Sequence, residues 1–152
     1  GADRFCSIIS EPDTADCLYQ SISPATGERV AVGGSLNSIM AGLACGEVNP
    51  VTWGVLRNCG NAFVRVKDSV SATGMRLLGN PLKGDPQIIS GESGAINAGL
   101  LYALATSSDQ DVRQAKERLG INEHASILIF STEGDTNEDR YRDIVWNGAW
   151  PI

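Results

Sequence analysis

The chain has 152 residues, 42% of them hydrophobic and 20% charged, a size and composition that are typical of one soluble globular domain. Its 12 basic and 18 acidic residues give a net charge of −6, which argues against a surface that binds nucleic acid or an anionic membrane. No apolar run approaches the roughly 18 residues of a membrane span, and no segment predicts a secretory signal, so we expect a cytoplasmic protein.

The chain begins with Gly1-Ala2-Asp3 and has no initiator methionine. We therefore expect it to be a processed product or a piece of a longer protein. Because no internal repeat or low-complexity segment divides it, we predict a single α/β domain over residues 1–152.

The four cysteines, Cys6, Cys17, Cys45 and Cys59, do not have the spacing of a metal site. No two of them form a C-x-x-C pair, and the single histidine, His124, lies 65 residues beyond Cys59. We predict no metal ion and reduced thiols, while a disulfide such as Cys17 with Cys45 stays open.

Apolar runs of strand length alternate along the chain with helical patterns. The runs rich in β-branched or aromatic residues predict strands at 5–10, 29–34, 62–66, 87–90 and 126–131. Spacing and capping residues predict helices in "PVTWGVLRNC", "DSVSATGMRLLG", "SGAINAGLLYALA", "DQDVRQAKERLG" and "TNEDRYRDIVW". The alternation predicts an α/β fold with a mostly parallel, twisted sheet and helices on both faces.

Several local signals fix these helices in more detail. Asn49 is the predicted N-cap of the helix that starts at Pro50, and the last helix begins with Thr136 and Asp139 in a spacing close to a capping box. In the third helix the spacing of small and medium apolar side chains predicts a stripe that faces the core. That stripe consists of Ile96, Gly99, Leu100, Ala103 and Leu104.

Two loops follow predicted strands and carry hydroxyls, a carboxylate and glycines. The first loop, residues 90–95, reads "SGESGA", and the second loop, residues 131–136, reads "STEGDT". Because ligands bind at the carboxyl ends of parallel strands, we expect the chemistry of the protein to lie in these two loops.

The first loop also resembles the turn that presents a nucleophilic serine in hydrolases. Ser93 would need His124 as its general base, with Asp109 or Asp111 as the acid between them. His124, however, precedes the strand at 126–131, whereas Ser93 follows the strand at 87–90, so the two residues belong at opposite edges of a parallel sheet. A serine hydrolase is therefore a minor alternative, and a turn capped by Ser93 or Glu92 explains the pattern as well.

Long segments of the chain resemble the diaminopropionate ammonia-lyase family, which is part of the tryptophan-synthase-β (fold-type II) superfamily of pyridoxal-phosphate enzymes. The resemblance begins near Asp13 and covers the rest of the chain, which corresponds to the carboxyl-terminal part of a longer family member. The matching segments are "ADCLYQSI", "VGGSLNSIMAGLACGEVNP", "WGVLRNC", "FVRVKDSVSATGMRLLGNPLKGDP", "ISGESGAINAGLL" and "ILIFSTEGDTNEDRYRDIVWNG".

The resemblance implies an α,β-elimination that converts 2,3-diaminopropionate to pyruvate and ammonia, in a homodimer whose cofactor is pyridoxal 5′-phosphate. It places the hydroxyl of Ser131, or that of its neighbour Thr132, at the cofactor's ring nitrogen. Glu92 would lie near the imine and phenol edge of the ring, while Gly91 and Gly134 would let the backbone pass close to it.

The resemblance also shows which parts of the family's machinery these residues do not supply. Lys67, Lys83 and Lys116 are the only lysines, and none has the sequence context of the family's Schiff-base lysine. The Gly33-Gly34 turn matches a family segment other than the phosphate cup, and no residue of the chain is assigned as catalytic. We therefore expect this chain alone to be inactive. A stand-alone α/β domain that binds or senses a small ligand is the alternative, because it would need neither lysine nor cup.

Overall fold

The computed structural model describes residues 5–23 and 27–151. The elements along this part of the chain are β1 (Ile8–Pro12), α1 (Cys17–Ile22), a 3-10 turn (Ala41–Leu43), α2 (Pro50–Cys59), β2 (Ala62–Val66), α3 (Asp68–Gly79), α4 (Glu92–Thr106), α5 (Gln110–Arg118) and α6 (Glu138–Val145). They gather into two compact units, one formed by the described residues up to Ser38 with Gly42–Lys67, the other by Ile39–Ala41 with the residues from Asp68 onward.

The first unit contains the parallel strands β1 and β2, which pair from Ile8 opposite Ala62 to Pro12 opposite Val66. Its apolar core is built on the buried side chains of Cys17, Val48 and Trp53. The ring of Trp53 meets that of Phe63 on β2 edge to face, with 6.4 Å between the ring centroids. Apolar side chains of the helices α1 and α2 thus pack against the sheet.

Helix α1, which the sequence patterns did not predict, is held by a carboxylate from the neighbouring strand. Glu11 at the end of β1 is 6% exposed and accepts the backbone N–H groups of Leu18 at 3.0 Å and Tyr19 at 2.8 Å. These N–H groups lie in the first turn of the helix, where no intrahelical partner exists. Burial raises the pKa of Glu11, and the two N–H groups act in the opposite direction.

Helix α2 confirms the predicted start. The Oδ1 atom of Asn49 accepts the N–H groups of Val51 at 2.9 Å and Thr52 at 3.4 Å, and Pro50 is the first helical residue. Such a local cap needs only neighbouring residues, which explains why the sequence was sufficient to predict it.

The second unit is built around the crossing of α3 and α4, where glycines replace side chains. A Cβ atom on Gly99 would lie 1.8 Å from the carbonyl oxygen of Val70, and one on Gly74 would lie 2.1 Å from that of Ala95. The two helix backbones are therefore in direct contact. The predicted core stripe of α4 is confirmed by the burial of Ile96, Gly99, Leu100 and Leu104, while Ala103 is half-buried.

Helix α6 and the residues after it are fastened to α3 by one guanidinium group. Nη1 of Arg76 donates to the carbonyl oxygens of Ile144 and Ala149, each at 2.9 Å, and Nη2 donates to that of Trp150 at 3.0 Å. A charged donor that satisfies several carbonyls at a helix end is strongly stabilising.

The beginning of α6 differs from the predicted one. Its N-cap is Asn137, whose Oδ1 atom accepts the N–H of Arg140 at 3.0 Å, so the expected cap at Thr136 is wrong by one residue. Both side chains can cap a helix, and asparagine is the stronger of the two.

Three predicted strands do not form within the described residues. Segments 29–34, 87–90 and 126–131 pair with no described strand, and the sheet that is present has two strands. A strand exists only where a neighbour accepts its backbone hydrogen bonds, so an apolar pattern alone cannot produce one. Exposed apolar side chains mark the last two segments, namely Ile88, Ile89, Ile127, Leu128 and Phe130.

The predicted α/β class is nonetheless confirmed, because parallel strands and helices build the chain. Among the described residues, no helix is both long and apolar enough to cross a membrane. Cys6, Cys17, Cys45 and Cys59 are all free thiols in the structure.

Candidate functional site

The first and second loops, 90–95 and 131–136, lie against each other in the second unit. The N–H of Gly91 donates to the carbonyl oxygen of Glu133 at 3.0 Å, and the hydroxyls of Ser90 and Ser131 are 2.8 Å apart. The two loops in which the chemistry was expected are therefore in contact, although the strands predicted before them do not form within the described part of the chain. Backbone and side-chain hydrogen bonds hold them there without a described strand between them.

Helix α4 begins directly at the first loop, and its cap comes from the second loop. The N-cap is Gly91, which has no side chain, and the N–H of Ser93 donates to Oε1 of Glu133 at 2.5 Å. The prediction that Ser93 or Glu92 caps this helix is therefore wrong, because both residues lie inside the first turn. The negative charge of a carboxylate at this place also interacts favourably with the positive end of the helix dipole.

The hydroxyl pair of Ser90 and Ser131 connects the interior to the surface. Ser90 is 1% exposed, whereas Ser131 is an exposed residue. A Cβ atom on Gly94 would lie 2.7 Å from Oγ of Ser90 and 3.0 Å from Oγ of Ser131. Gly94 thus leaves the space in which the two hydroxyls meet.

The carboxylate of Glu92 is turned toward helix α6. Glu92 is 7% exposed, and its Oε1 atom lies 3.8 Å from Nε of Arg140. The charge of this buried carboxylate is therefore balanced by a cation of the same unit.

The other predicted site residues surround this contact. A Cβ atom on Gly91 would lie 2.3 Å from the carbonyl oxygen of Gly134, so glycine at position 91 is needed for the approach of the two loops. Gly134 itself has open space where a side chain would be, and Thr132 is exposed beside Ser131.

The lysines and the histidine lie elsewhere. Lys67 follows β2, Lys83 is exposed in the loop after α3, and Lys116 is half-buried on α5. The side chain of His124 is 87% exposed, with Nε2 3.5 Å from Oε1 of its neighbour Glu123. An imidazole directed to solvent is not placed to activate Ser93, which is 6% exposed. The described residues contain no group of His, Cys, Asp or Glu that could hold a metal ion.

Sequence reasoning missed three residues that build this site: Ser90, Glu133 and Arg140. Ser90 ends an apolar run and Glu133 lies two positions beyond Ser131, so each belongs to one of the two predicted loops. Their roles depend on contacts between residues about 40 positions apart, since the Ser90–Ser131 and Ser93–Glu133 pairs are separated by 41 and 40 residues. A local pattern carries no signal for such a contact.

The chain is similar to known proteins over almost all of its length. It is 51% identical over 146 residues to diaminopropionate ammonia-lyase from Escherichia coli (strain K12), and these residues are 96% of the chain and 36% of that protein. The enzyme of the same name from Salmonella typhimurium (strain LT2) is 45% identical over 142 residues, 93% of the chain and 35% of that protein. The chain thus spans about a third of the length of these relatives. No model of a protein family matches it.

Solved structures give the same relationship. The Escherichia coli diaminopropionate ammonia-lyase in complex with an aminoacrylate-PLP azomethine reaction intermediate superposes with a TM-score of 0.83 at 49% identity, covering 95% of this chain and 35% of that one. The D-serine complex of that enzyme gives 0.82 at 47% identity, with the same coverage. Maize serine racemase gives 0.51 at 28% identity over 60% of this chain and 26% of its own.

These sequence and structural matches agree with the family segments, which run through both loops. By sequence and by fold, the chain is homologous to the carboxyl-terminal part of the diaminopropionate ammonia-lyases, enzymes of the fold-type II pyridoxal-phosphate group.

Proposed function

We propose that this chain is the carboxyl-terminal part of an ammonia-lyase that converts 2,3-diaminopropionate to pyruvate and ammonia with pyridoxal 5′-phosphate. The observation that carries the proposal is the 51% identity to diaminopropionate ammonia-lyase over 96% of the chain. A match of this length includes the core of the second unit as well as the two loops.

The charges at the two loops fit one end of the proposed cofactor. Two of the three carboxylates in these loops have partners of their own, since Glu133 accepts the N–H of Ser93 and Glu92 faces Arg140, while Asp135 is exposed. Ser131, which is exposed and contacts the first loop through Ser90, offers a neutral hydroxyl. A neutral hydroxyl suits an unprotonated ring nitrogen, whereas a carboxylate would hold a proton on it.

We infer the following roles for the predicted site residues. Ser131 donates a hydrogen bond to the ring nitrogen, and Thr132 is the neighbouring hydroxyl on the same side. Gly91 and Gly134 keep the two loops close enough to form one edge. Glu92, whose buried carboxylate is paired with Arg140, lies on the side of the imine and phenol oxygen of the cofactor. When bound, the cofactor supplies the electron sink for the elimination.

The lysine that bonds the cofactor and the groups that move protons come, in this proposal, from residues outside these 152. None of the chain's three lysines lies in the first or second loop. We therefore infer that the chain by itself neither bonds the cofactor nor catalyses the elimination.

We further propose that the whole enzyme is a cytoplasmic homodimer that acts on an amino acid. The free thiols of Cys45 and Cys59 are exposed, which suits a reducing compartment. The related Escherichia coli enzyme has been solved with D-serine, an amino acid.

The alternative, a stand-alone binding domain, has less support because the relatives that match 96% of the chain are named as enzymes. One hollow of about 530 Å³ is lined by residues of α3, α4 and the segment after α6, among them Thr73 and Tyr102. Another, of about 200 Å³, lies beside Arg29 and Val48. Neither hollow includes a residue of the first or second loop, so the hollows do not distinguish the two functions.

Pyruvate release tests the proposed function. The full-length protein that contains these residues should release pyruvate from 2,3-diaminopropionate only when pyridoxal 5′-phosphate is present. The 152-residue chain, treated in the same way, should release none and should show no cofactor absorbance that borohydride abolishes. Full-length protein without pyruvate release would contradict the activity, and a borohydride-sensitive band in the short chain would contradict its dependence on residues outside it.

A further inference from the structure

The hydroxyl of Ser90 is a buried polar group that the proposed function leaves without a role. Its Oγ atom lies 2.8 Å from Oγ of Ser131 and 3.4 Å from the carbonyl oxygen of Gly91. At 1% exposure Ser90 has no access to bulk water, so its proton has to be donated within the protein. A buried donor without an acceptor would be costly.

The carbonyls near the two hydroxyls lie farther away than the hydroxyls lie from each other. The carbonyl oxygen of Gly91 already accepts the N–H of Ala95 at 3.0 Å, and that of Glu133 accepts the N–H of Gly91 at 3.0 Å. Each of these oxygens is 3.4 Å from the nearer hydroxyl, beyond the usual distance for an O–H donor. The contact between Ser90 and Ser131 is therefore the strongest one available to either proton.

Only one of the two hydroxyls can donate in that contact. If Ser131 donated to Ser90, the buried Ser90 proton would be left with the long contact to Gly91. If Ser90 donates to Ser131, the buried proton has a good acceptor and the Ser131 proton stays available at the surface. The second arrangement satisfies the buried group, and the exposed hydroxyl can find a partner in water or in a ligand.

We propose that Ser90 is a positioning residue, which donates its proton to Ser131 and thereby directs the Ser131 proton toward the ring nitrogen of the cofactor. This inference rests on the proposed function. It adds that the donor character of Ser131 is set from inside the protein. Without Ser90, the Ser131 hydroxyl loses the donor that fixes its direction, and it can turn toward the carbonyl of Glu133.

Variants of the full-length protein test this role through the binding of pyridoxal 5′-phosphate. We expect Ser131→Ala to raise the dissociation constant about threefold to tenfold, the size of one neutral hydrogen bond, and Ser90→Ala to have an effect of similar size. In the Ser131→Ala background, Ser90→Ala should change the constant no further. The control is Ser21→Ala, because Ser21 is 0% exposed and lies in the first unit, and this variant should leave the constant unchanged.

The measurement is a titration of the apoenzyme, followed by cofactor absorbance and by quenching of protein fluorescence. The absorbance maximum of the bound cofactor should shift in Ser131→Ala and in Ser90→Ala, and by the same amount in the double variant. A Ser90→Ala effect that is equal in both backgrounds, or no effect at all, would overturn the inference and leave the proposed function standing. If Ser131→Ala changes neither the constant nor the spectrum, the proposed contact with the ring is itself wrong.

Discussion

The thiol of Cys17 is 3% exposed and lies 3.7 Å from Oε1 of Glu11, the carboxylate that holds the start of α1. Burial, and then the nearby negative charge, raise the pKa of this thiol from 9.0 to about 11. The thiolate is the reactive form of cysteine, so Cys17 is expected to be inert where other thiols react. Because the folded protein holds this proton more tightly, its contribution to stability is complete below pH 9 and is lost as the pH rises toward 11.

We expect Cys17 to react with iodoacetamide at pH 8 about a hundredfold more slowly than an ordinary thiol, the factor that corresponds to two pKa units. The exposed Cys45 and Cys59 serve as internal references in a mass-spectrometric time course. Glu11→Gln removes the adjacent charge and should accelerate the reaction of Cys17, whereas Glu28→Gln, on an exposed residue, should not. Equal labelling of Cys17 and Cys45 in the folded protein would contradict this account.

At the scale of elements, the crossing of α3 and α4 depends on direct backbone contact at Gly99. We expect Gly99→Ala to lower the free energy of unfolding by about 1–3 kcal/mol, since the new methyl group would meet the carbonyl of Val70 and push the helices apart. Gly54 on α2 is the matched control, because a Cβ there would meet nothing within 4 Å. Gly54→Ala should stabilise the protein by up to about 1 kcal/mol through helix propensity.

Urea unfolding followed by far-ultraviolet circular dichroism measures both changes. If Gly99→Ala raised the midpoint as Gly54→Ala is expected to do, helix propensity would dominate and the close crossing would not be a constraint.

The elements that the sequence predicted well are those whose signals are local. The Asn49 cap and the α4 stripe, which includes Leu100, depend on residues within a few positions, so their patterns survive without knowledge of the fold. Helix α1 was missed because it is short and is held by Glu11 of another element. The apolar runs at 87–90 and 126–131 failed as strands for the same reason, since pairing requires a neighbour that a pattern cannot name.

The site shows the same division. The two loops were singled out because their glycines and hydroxyls follow predicted strands, and the role of Ser131, which comes from the family resemblance, stays a prediction. The tie between Ser90 and Ser131, and the cap that Glu133 provides for α4, required the three-dimensional structure. The orientation of each polar side chain in these loops depends on long-range hydrogen bonds, which a local sequence pattern does not reveal.

At the scale of the whole molecule, the segment 126–130 is mostly apolar, forms neither helix nor strand, and exposes large side chains. Leu128 is 78% exposed and Phe130 is 70% exposed, and within the described residues no strand covers the backbone between them. Such an exposed apolar segment favours association with a second copy of the chain. We expect the 152-residue chain to self-associate with increasing concentration, and Leu128→Lys to weaken this association.

Sedimentation velocity over a hundredfold range of concentration checks that expectation. Val51 is the matched control, because it is 83% exposed but lies on helix α2, where the backbone hydrogen bonds are satisfied. Val51→Lys should leave the association unchanged. If the chain sedimented as a monomer at every concentration, the exposed segment would not drive self-association.

The ties between the two loops have a further consequence for biosynthesis. Ser90 finds its partner 41 residues later and Ser93 finds its own 40 residues later, so a ribosome must add all of the intervening chain before either bond can form. Helices α3 and α4 can meet well before that point. The contact between the two loops therefore forms only after residues 131 and 133 have been synthesised, later than the crossing of α3 and α4.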